Sequence, residues 1–321
     1  MEFHEIYLLY RQELDRVERL LDERARADHA DLAKAGRTLL EAGGKRIRPL
    51  FALICGLGER EWSEDVAKVA AALEMIHMAT LVHDDVIDRA DLRRGRPTVR
   101  KSYGNLAAMY TGDYLFARAI QLLAEVDNLE VHRLMAKGIV LLCEGEIEQI
   151  EDFYNWSQGV MTYLRRIHRK TALLISLSCQ LGAMVGGVHP REVAALARFG
   201  HAVGMAFQIV DDLLDFTGAA EIVGKPVGGD LRQGNLTLPA LLASSRPGIG
   251  ERLRALVREG MREEEAEEAI QLVVASGALA DAERLAERYL EKSRELLQGV
   301  GRETVREQLM GLTSFILRRQ Y

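Results

Sequence analysis

Six aspartates draw attention first, because one spacing occurs twice: Asp84-Asp85-Val-Ile-Asp88 and Asp211-Asp212-Leu-Leu-Asp215 both read D-D-x-x-D. On a helix, positions i and i+4 share a face, so Asp84 with Asp88 and Asp211 with Asp215 each form a claw of two carboxylates. Two such charges about 5 to 6 Å apart repel by about 3 kcal/mol at an effective dielectric of ~20, so several pairs converging on one cavity need counter-ions. Hard divalent cations meet that need. Mg2+ takes only one or two carboxylates and completes its octahedron with water and substrate phosphate oxygens. The chemistry expected is metal-bound phosphate or diphosphate. A single D-D-x-x-D is more often a solvated acidic patch, but two copies that each end an apolar helix weigh against that reading. A calcium loop does not fit, because D-x-D-x-D-G with its glycine turn is missing.

Cations stand at several places that could face these claws: Lys45 and Arg48 within Gly43-Gly-Lys-Arg-Ile-Arg-Pro49, the Arg93-Arg94 pair, Lys170 and Lys225. Each alone reads as a surface charge. Gathered around two acidic claws, they suggest two anions, one held through metal by aspartates and one held directly by arginine and lysine. Metal neutralises charge developing on a departing diphosphate, whereas an anion held only by Arg and Lys is positioned without being activated to leave. One substrate then ionises and the other attacks. His77 lies seven residues before Asp84, two helical turns away on the same face, whereas His83, His168 and His201 read as satisfied core residues. No dinucleotide or Walker glycine loop, G-x-S-x-G elbow or Cys/His nucleophile pair is present.

The elements that carry these residues follow from composition and periodicity. The 321-residue chain is 48% hydrophobic and 28% charged, with six prolines and 6% aromatics. Such a composition favours long uninterrupted helices, and the expected class is all-α. No linker or charge block divides it, so one domain over 1–321 is expected. The net charge of −6 supplies no global field for nucleic acid or anionic lipid. Cys55, Cys143 and Cys179 are odd in number and widely spaced. They read as buried thiols of a reducing compartment, and with an N-terminus that is amphipathic rather than signal-like this suggests a cytoplasmic protein. Apolar residues recur every three or four positions, predicting helices at 3–28, 30–41, 47–58, 63–90, 103–125, 129–152, 159–186, 190–218, 236–244, 248–259, 262–275, 278–298 and 301–318. Loops are expected at Gly43-Gly44, at Arg93 to Pro97, at Gly186-Gly187 and from Gly218 to Leu236. The uncharged run Thr171 to Val188 reads as a helix buried in protein, because it carries Ser176, Ser178, Gln180 and glycines.

These motifs, in this order, resemble the trans-isoprenyl diphosphate synthases, or polyprenyl synthetases. Gly43 to Pro49 matches their G-G-K-R-x-R-P segment, Asp84 to Arg94 their first aspartate-rich motif with two arginines, Lys170-Thr171 their Lys-Thr pair, and Phe207 to Asp215 their F-Q-x-x-D-D-x-x-D, followed by Gly224-Lys225-Pro226. Within the family, MYTGDYLFARAI, CEGEIEQIEDFY, YLRRIHRKTALL and GDLRQGNLTLPAL look most like the large catalytic subunits of heptaprenyl diphosphate synthases. The resemblance implies an all-α isoprenoid synthase-type bundle of about ten to thirteen helices around a central cavity. It implies that Asp84, Asp85, Asp88, Asp211, Asp212 and Asp215 bind Mg2+, commonly as three ions, bridging an allylic diphosphate that Arg93, Lys170, Thr171, Gln208 and Lys225 also hold. Lys45, Arg48, His77 and Arg94 would hold the diphosphate of isopentenyl diphosphate. Gly145-Glu146 and Gln149 match a further family segment without a chemical role that the residues themselves disclose.

The implied reaction ionises the allylic C–O bond, adds the isopentenyl double bond to the cation and loses a proton. In this family the residue five before the first aspartate helps to floor the product pocket, and here it is Ala79, above Met75 and Ile76. A methyl group at that depth leaves room for a product of about seven isoprene units, roughly 30 Å extended and comparable to a 20-residue helix. Such a chain would serve as a quinone side chain, as in menaquinone. Shorter or longer products (geranylgeranyl, hexaprenyl, octaprenyl), an inert partner subunit and a class I terpene cyclase are the alternatives. The intact second motif argues against the inert subunit, and the Lys45/Arg48 acceptor site argues against the cyclase. Expected partners are either a second copy or a small non-catalytic subunit, together with peripheral membrane contact for product release; the basic tail Arg318-Arg319-Gln320-Tyr321 either closes over the site or meets that membrane.

Overall fold

Runs rich in alanine, leucine, glutamate and arginine, with almost no internal proline, leave helix as the dominant local solution. The computed structural model describes residues 1–41, 43–57, 63–93, 95–218 and 227–317. In chain order its helices are α1 (Phe3–Leu9), α2 (Arg11–Ala25), α3 (Ala30–Glu41), α4 (Ile47–Gly56), α5 (Glu64–Ile87), α6 (Val99–Tyr103), α7 (Asn105–Leu123), α8 (Leu129–Glu151), α9 (Val160–Ile167), a π-helical turn (His168–Ala172), α10 (Leu173–Val185), α11 (Pro190–Thr217), α12 (Gly229–Gln233), α13 (Leu238–Ser244), α14 (Ile249–Leu256), α15 (Glu263–Ala275), α16 (Ala278–Leu297) and α17 (Glu303–Leu317). Between α5 and α6 a short antiparallel ribbon, β1 (Leu92–Arg93) and β2 (Arg96–Pro97), pairs Arg93 with Arg96.

The chain divides into two compact units. The first comprises Met1–Ala136, Leu174–Ala197 and Leu297–Leu312; the second comprises Lys137–Leu173, Arg198–Leu296 and Thr313–Tyr321.

In the first unit α5 is the central element and packs against α2, α4 and α7. It buries nearly every side chain from Val66 to Val82, including Met75, Ile76 and Ala79. α4 is buried from Pro49 to Gly56 and meets α10 through a seam of small residues. A Cβ on Gly182 would lie 2.3 Å from the Ala52 carbonyl oxygen, and one on Gly186 would lie 2.2 Å from that of Gly56. Only glycine allows this backbone-to-backbone approach.

In the second unit the C-terminal part of α11 supplies Met205, Ile209, Leu213 and Phe216 to a core completed by Tyr163 and Ile167 of α9 and by apolar faces of α13 to α16. By length and composition α5 and α11 could each cross a membrane, but 72% and 67% of their apolar windows are buried inside the protein.

Helices α3, α5, α8, α11, α15 and α16 start and stop within a few residues of where periodicity places them. Two predicted helices are subdivided and a third starts late. The one over 3–28 breaks at Tyr10, whose buried ring turns inward and whose hydroxyl donates to Gln308 Oε1 at 2.8 Å. The one over 103–125 begins only after Gly104, at φ 88°, separates α6 from α7. The one over 159–186 is interrupted by the π turn. Cys55 and Cys179 are buried as expected, but Cys143 is exposed on α8, because that position faces outward on a helix whose opposite side carries the packing.

Candidate active site

In the first unit, the last turn of α5 presents the first aspartate motif. Asp84 and Asp88 are partly exposed, whereas Asp85 is 1% exposed. Arg93, on β1, donates from Nε and Nη2 to Asp85 Oδ1, both at 2.8 Å. Acidic residues at a helix C-terminus oppose the macrodipole, and this guanidinium supplies part of the compensating charge. The arginine that the resemblance gives to the allylic diphosphate is thus also the clamp that orients the motif.

Nearby, the segment before α4 carries three cations with three different exposures. Lys45 is exposed, Arg48 is half-buried and Arg46 is 5% exposed. Arg46 is the N-cap of α4 with φ 48° and ψ 41°, a left-handed conformation that costs a non-glycine residue roughly 1–2 kcal/mol. Burial opposes its charge, but Glu18 and Glu74 outweigh that and hold the guanidinium above its ordinary value. His77 lines a narrow cavity of about 40 Å3 together with Arg46, Glu74, Asp85, Arg93 and Arg96. His77 thus shares a cavity with Asp85 of the first motif, and with Arg46 and Arg96, to which sequence spacing assigned no role.

In the second unit, the second motif sits in the last turns of α11. Asp211 is exposed and Asp215 partly exposed, while Asp212 is 3% exposed. Tyr163 donates to Asp212 Oδ2 at 2.6 Å, Gln208 donates from Nε2 to Asp212 Oδ1 at 2.8 Å, and Thr171 donates to Gln208 Oε1 at 2.6 Å. Burial, and then the Asp230 carboxylate, push Asp212 well above the usual carboxylate range despite these donors. Burial and the Asp212 charge likewise push the Tyr163 phenol up. An acidic group whose donors are outweighed by burial and neighbouring carboxylates fits a divalent cation as counter-charge. Asp215 also shapes the loop that follows, because its carboxylate accepts the backbone N–H groups of Gly229 at 3.0 Å and Asp230 at 3.1 Å, pinning the start of α12.

The six aspartates that the spacing treats alike therefore differ in exposure: Asp211 is exposed, Asp84, Asp88 and Asp215 are partly exposed, and Asp85 and Asp212 are buried. Among the described residues no three His, Cys, Asp or Glu side chains are grouped so as to hold an ion by themselves.

Lys170 and Thr171 lie in the π turn, a widened turn that recurs at functional sites. Lys170 Nζ donates to Glu146 Oε2 at 3.1 Å and Arg169 to Glu148 Oε1 at 2.7 Å, both on α8. A Cβ on Gly145 would lie 2.7 Å from Arg169 Cβ, and one on Gly204 would lie 2.4 Å from Ala172 Cα, so α8 and α11 press directly on the turn. Gly145 and Glu146, to which the sequence pattern attached no chemistry, acquire a role here. Tyr163 and Asp230 were missed because a lone tyrosine 49 positions from its partner and an aspartate in a glycine-rich loop carry no local signal. Arg94, Lys225 with its flanking Gly224 and Pro226, and the tail from Arg318 lie outside the described residues.

Residues 29–274 match the polyprenyl synthetase family. The chain is 48% identical over 324 residues to heptaprenyl diphosphate synthase component 2 of Geobacillus stearothermophilus, with all of both chains covered. It is 44% identical to the protein of the same name from Bacillus subtilis, covering 100% of this chain and 92% of that one. Among solved structures, heptaprenyl diphosphate synthase from Staphylococcus aureus superposes with a TM-score of 0.92 at 38% identity, covering 97% of this chain and 98% of the other. A polyprenyl synthase from Caulobacter crescentus, complexed with calcium and isoprenyl diphosphate, gives 0.92 at 34% identity, covering 100% and 98%. The all-α architecture, the twin aspartate motifs and these likenesses agree: the chain is a prenyltransferase that belongs to the polyprenyl synthetase family.

Proposed function

We propose that this enzyme condenses an allylic diphosphate, farnesyl diphosphate being the expected primer, with successive isopentenyl diphosphates to give an all-trans chain of about seven isoprene units, roughly 30 Å extended, for a quinone side chain. The observation that supports it best is the split within each motif. Asp85 and Asp212 are buried and clamped, so each fixes the helix end on which Asp84 and Asp211 turn outward. The likeness to heptaprenyl synthases over the full chain supports the product length.

Asp84, Asp85, Asp88, Asp211, Asp212 and Asp215 are the residues assigned to Mg2+, three ions per site. When bound, these ions supply the positive charge that the diphosphate needs as its allylic C–O bond breaks. The chain's own residues do the rest. Lys170, Thr171, Gln208 and Lys225 orient the allylic diphosphate; Arg93 keeps Asp85 fixed and contributes to the same orientation. Lys45, Arg48, His77 and Arg94 hold the isopentenyl diphosphate so that its double bond faces the carbon that ionises, and the proton then leaves to the diphosphate. Ala79, with Met75 and Ile76 buried beyond it, sets the depth available to the growing chain.

The whole chain, 1–321, acts as one functional domain in this reading, cytoplasmic, with a small non-catalytic subunit as partner and contact with the membrane surface at product release. The test is incubation of the purified chain with Mg2+, farnesyl diphosphate and isopentenyl diphosphate, with and without a candidate small subunit. Incorporation of several isopentenyl units supports the reading. A cyclised product without incorporation makes the protein a cyclase, no reaction under either condition makes it inert, and full activity of the chain alone removes the obligate heterodimer.

A further inference from the structure

The segment Gly43 to Pro49 contains three cations, of which Lys45 and Arg48 are assigned above to the acceptor diphosphate. Arg46, between them, turns the other way. Its Nε and Nη2 donate to the two carboxylate oxygens of Glu18 on α2 at 2.5 and 3.1 Å, and its Nη1 donates to Glu74 Oε1 on α5 at 3.1 Å. The Arg46 and Glu74 side chains are 4% and 6% exposed. A planar guanidinium that engages two carboxylates from different helices is fixed in orientation as well as position.

We propose that Arg46 is a positioning residue for the acceptor site: clamped between Glu18 and Glu74, it holds the Gly43–Arg48 turn in its left-handed bend and ties that turn to the helix carrying His77 and the first aspartate motif. The proposal rests on the assignment of Lys45, Arg48 and His77 to isopentenyl diphosphate. Two observations carry it beyond the ion pairs. A left-handed arginine persists only where its surroundings over-determine it. Glu74 lies one helical turn before His77, and Arg46, Glu74 and His77 line the same cavity. The clamp therefore sets the distance between the loop cations and the α5 groups that must meet one diphosphate.

Removing Arg46 alone strands a buried carboxylate and threatens the fold, so the informative variant is the double replacement Arg46→Met/Glu74→Met, beside Arg46→Lys, which keeps the charge but not the fork. Both should fold with wild-type far-ultraviolet dichroism. Amide hydrogen exchange of the substrate-free protein should be faster over residues 43–48 in the double variant, by on the order of tenfold or more, as a bidentate clamp is lost. The KM for isopentenyl diphosphate should rise about tenfold or more, with the KM for the allylic substrate unchanged and Arg46→Lys intermediate. Unchanged exchange in the folded variants overturns the clamp, whatever the loop binds. Faster exchange with an unchanged acceptor KM, or an equal loss for both substrates, overturns the positioning role. The underlying assignment fails separately, through a Lys45→Ala/Arg48→Ala variant whose acceptor KM is that of the wild type.

Discussion

The two aspartate motifs share their spacing and differ in how their second aspartate is held. Asp85 is met by a cation, Arg93, brought back by a ribbon eight residues further along. Asp212 is met by neutral donors, Tyr163 and Gln208, while the charges that act on it are the carboxylates Asp230 and Asp211. The first motif thus has part of its counter-charge built into the protein at Asp85, whereas the described groups around Asp212 disfavour its anion. One sequence pattern has been placed in two electrostatic settings, and the second is the one that metal should organise more strongly.

The largest expected effects test whether both motifs reach the metal. Asp84→Asn and Asp211→Asn should each lower turnover by on the order of 10^3-fold; a loss below tenfold at either removes that claw from the site. Next comes the apolar depth beneath the first motif, which has nothing to do with its charge. Ala79→Phe should shorten the product while condensation continues, as read by chromatography of the dephosphorylated chains, and an unchanged length sinks the floor assignment.

The contrast itself is tested by the buried aspartates in metal-free protein. Asp85→Asn keeps an oxygen that Arg93 can donate to but removes the charge it faces, and should destabilise by about 1 kcal/mol. Asp212→Asn removes an anion that its surroundings disfavour and should melt at or above the wild-type temperature. Equal losses in the two variants would erase the distinction between the motifs.

The smallest effect concerns pH and belongs to the second motif's side. His168 and His201 share a hydrogen bond, Nδ1 to Nδ1 at 3.1 Å, at the π turn. Burial, and then the neighbouring His168, lower His201 to about 4. An unfolded histidine titrates near ~6.5, so below that pH the unfolded chain binds the additional proton. This contribution is present above pH ~6.5 and is lost as pH falls from there towards 4. Melting temperature should decline over that window, and a His201→Gln variant should decline less; identical profiles would take the pair out of the pH response.

Much of the fold was legible because its signal is local. The periodicity of Ala30 to Glu41 or Pro190 to Thr217 is complete within each helix, and the structure returns those helices almost unchanged. The break at Tyr10 was not legible, because the partner of its buried side chain, Gln308, lies 298 residues away. The π turn was hidden for a like reason: His168 to Ala172 reads as helix, and the glycines packed close against it, Gly145 and Gly204, lie on other elements. In the site, spacing identified the aspartates but could not rank them, since Asp84 and Asp85 look alike until Arg93 selects one. Thr171 and Gln208 were legible as single residues, but their chain to Asp212 and Tyr163 was not.

The glycine seam between α4 and α10 has a consequence for motion. Side chains that interdigitate can change rotamer and let helices creep past one another, but backbone set against backbone offers no such freedom. A slide of α4 by one residue, about 1.5 Å, would bring the Cβ of a neighbouring position to where Gly182 and Gly186 now pass the carbonyls of Ala52 and Gly56. α4 thus behaves as a key seated in its slot, registered along its axis. Any breathing of the first unit is then absorbed at the ends of that helix, where the Gly43–Arg48 turn, proposed above to hold the acceptor diphosphate, would feel it.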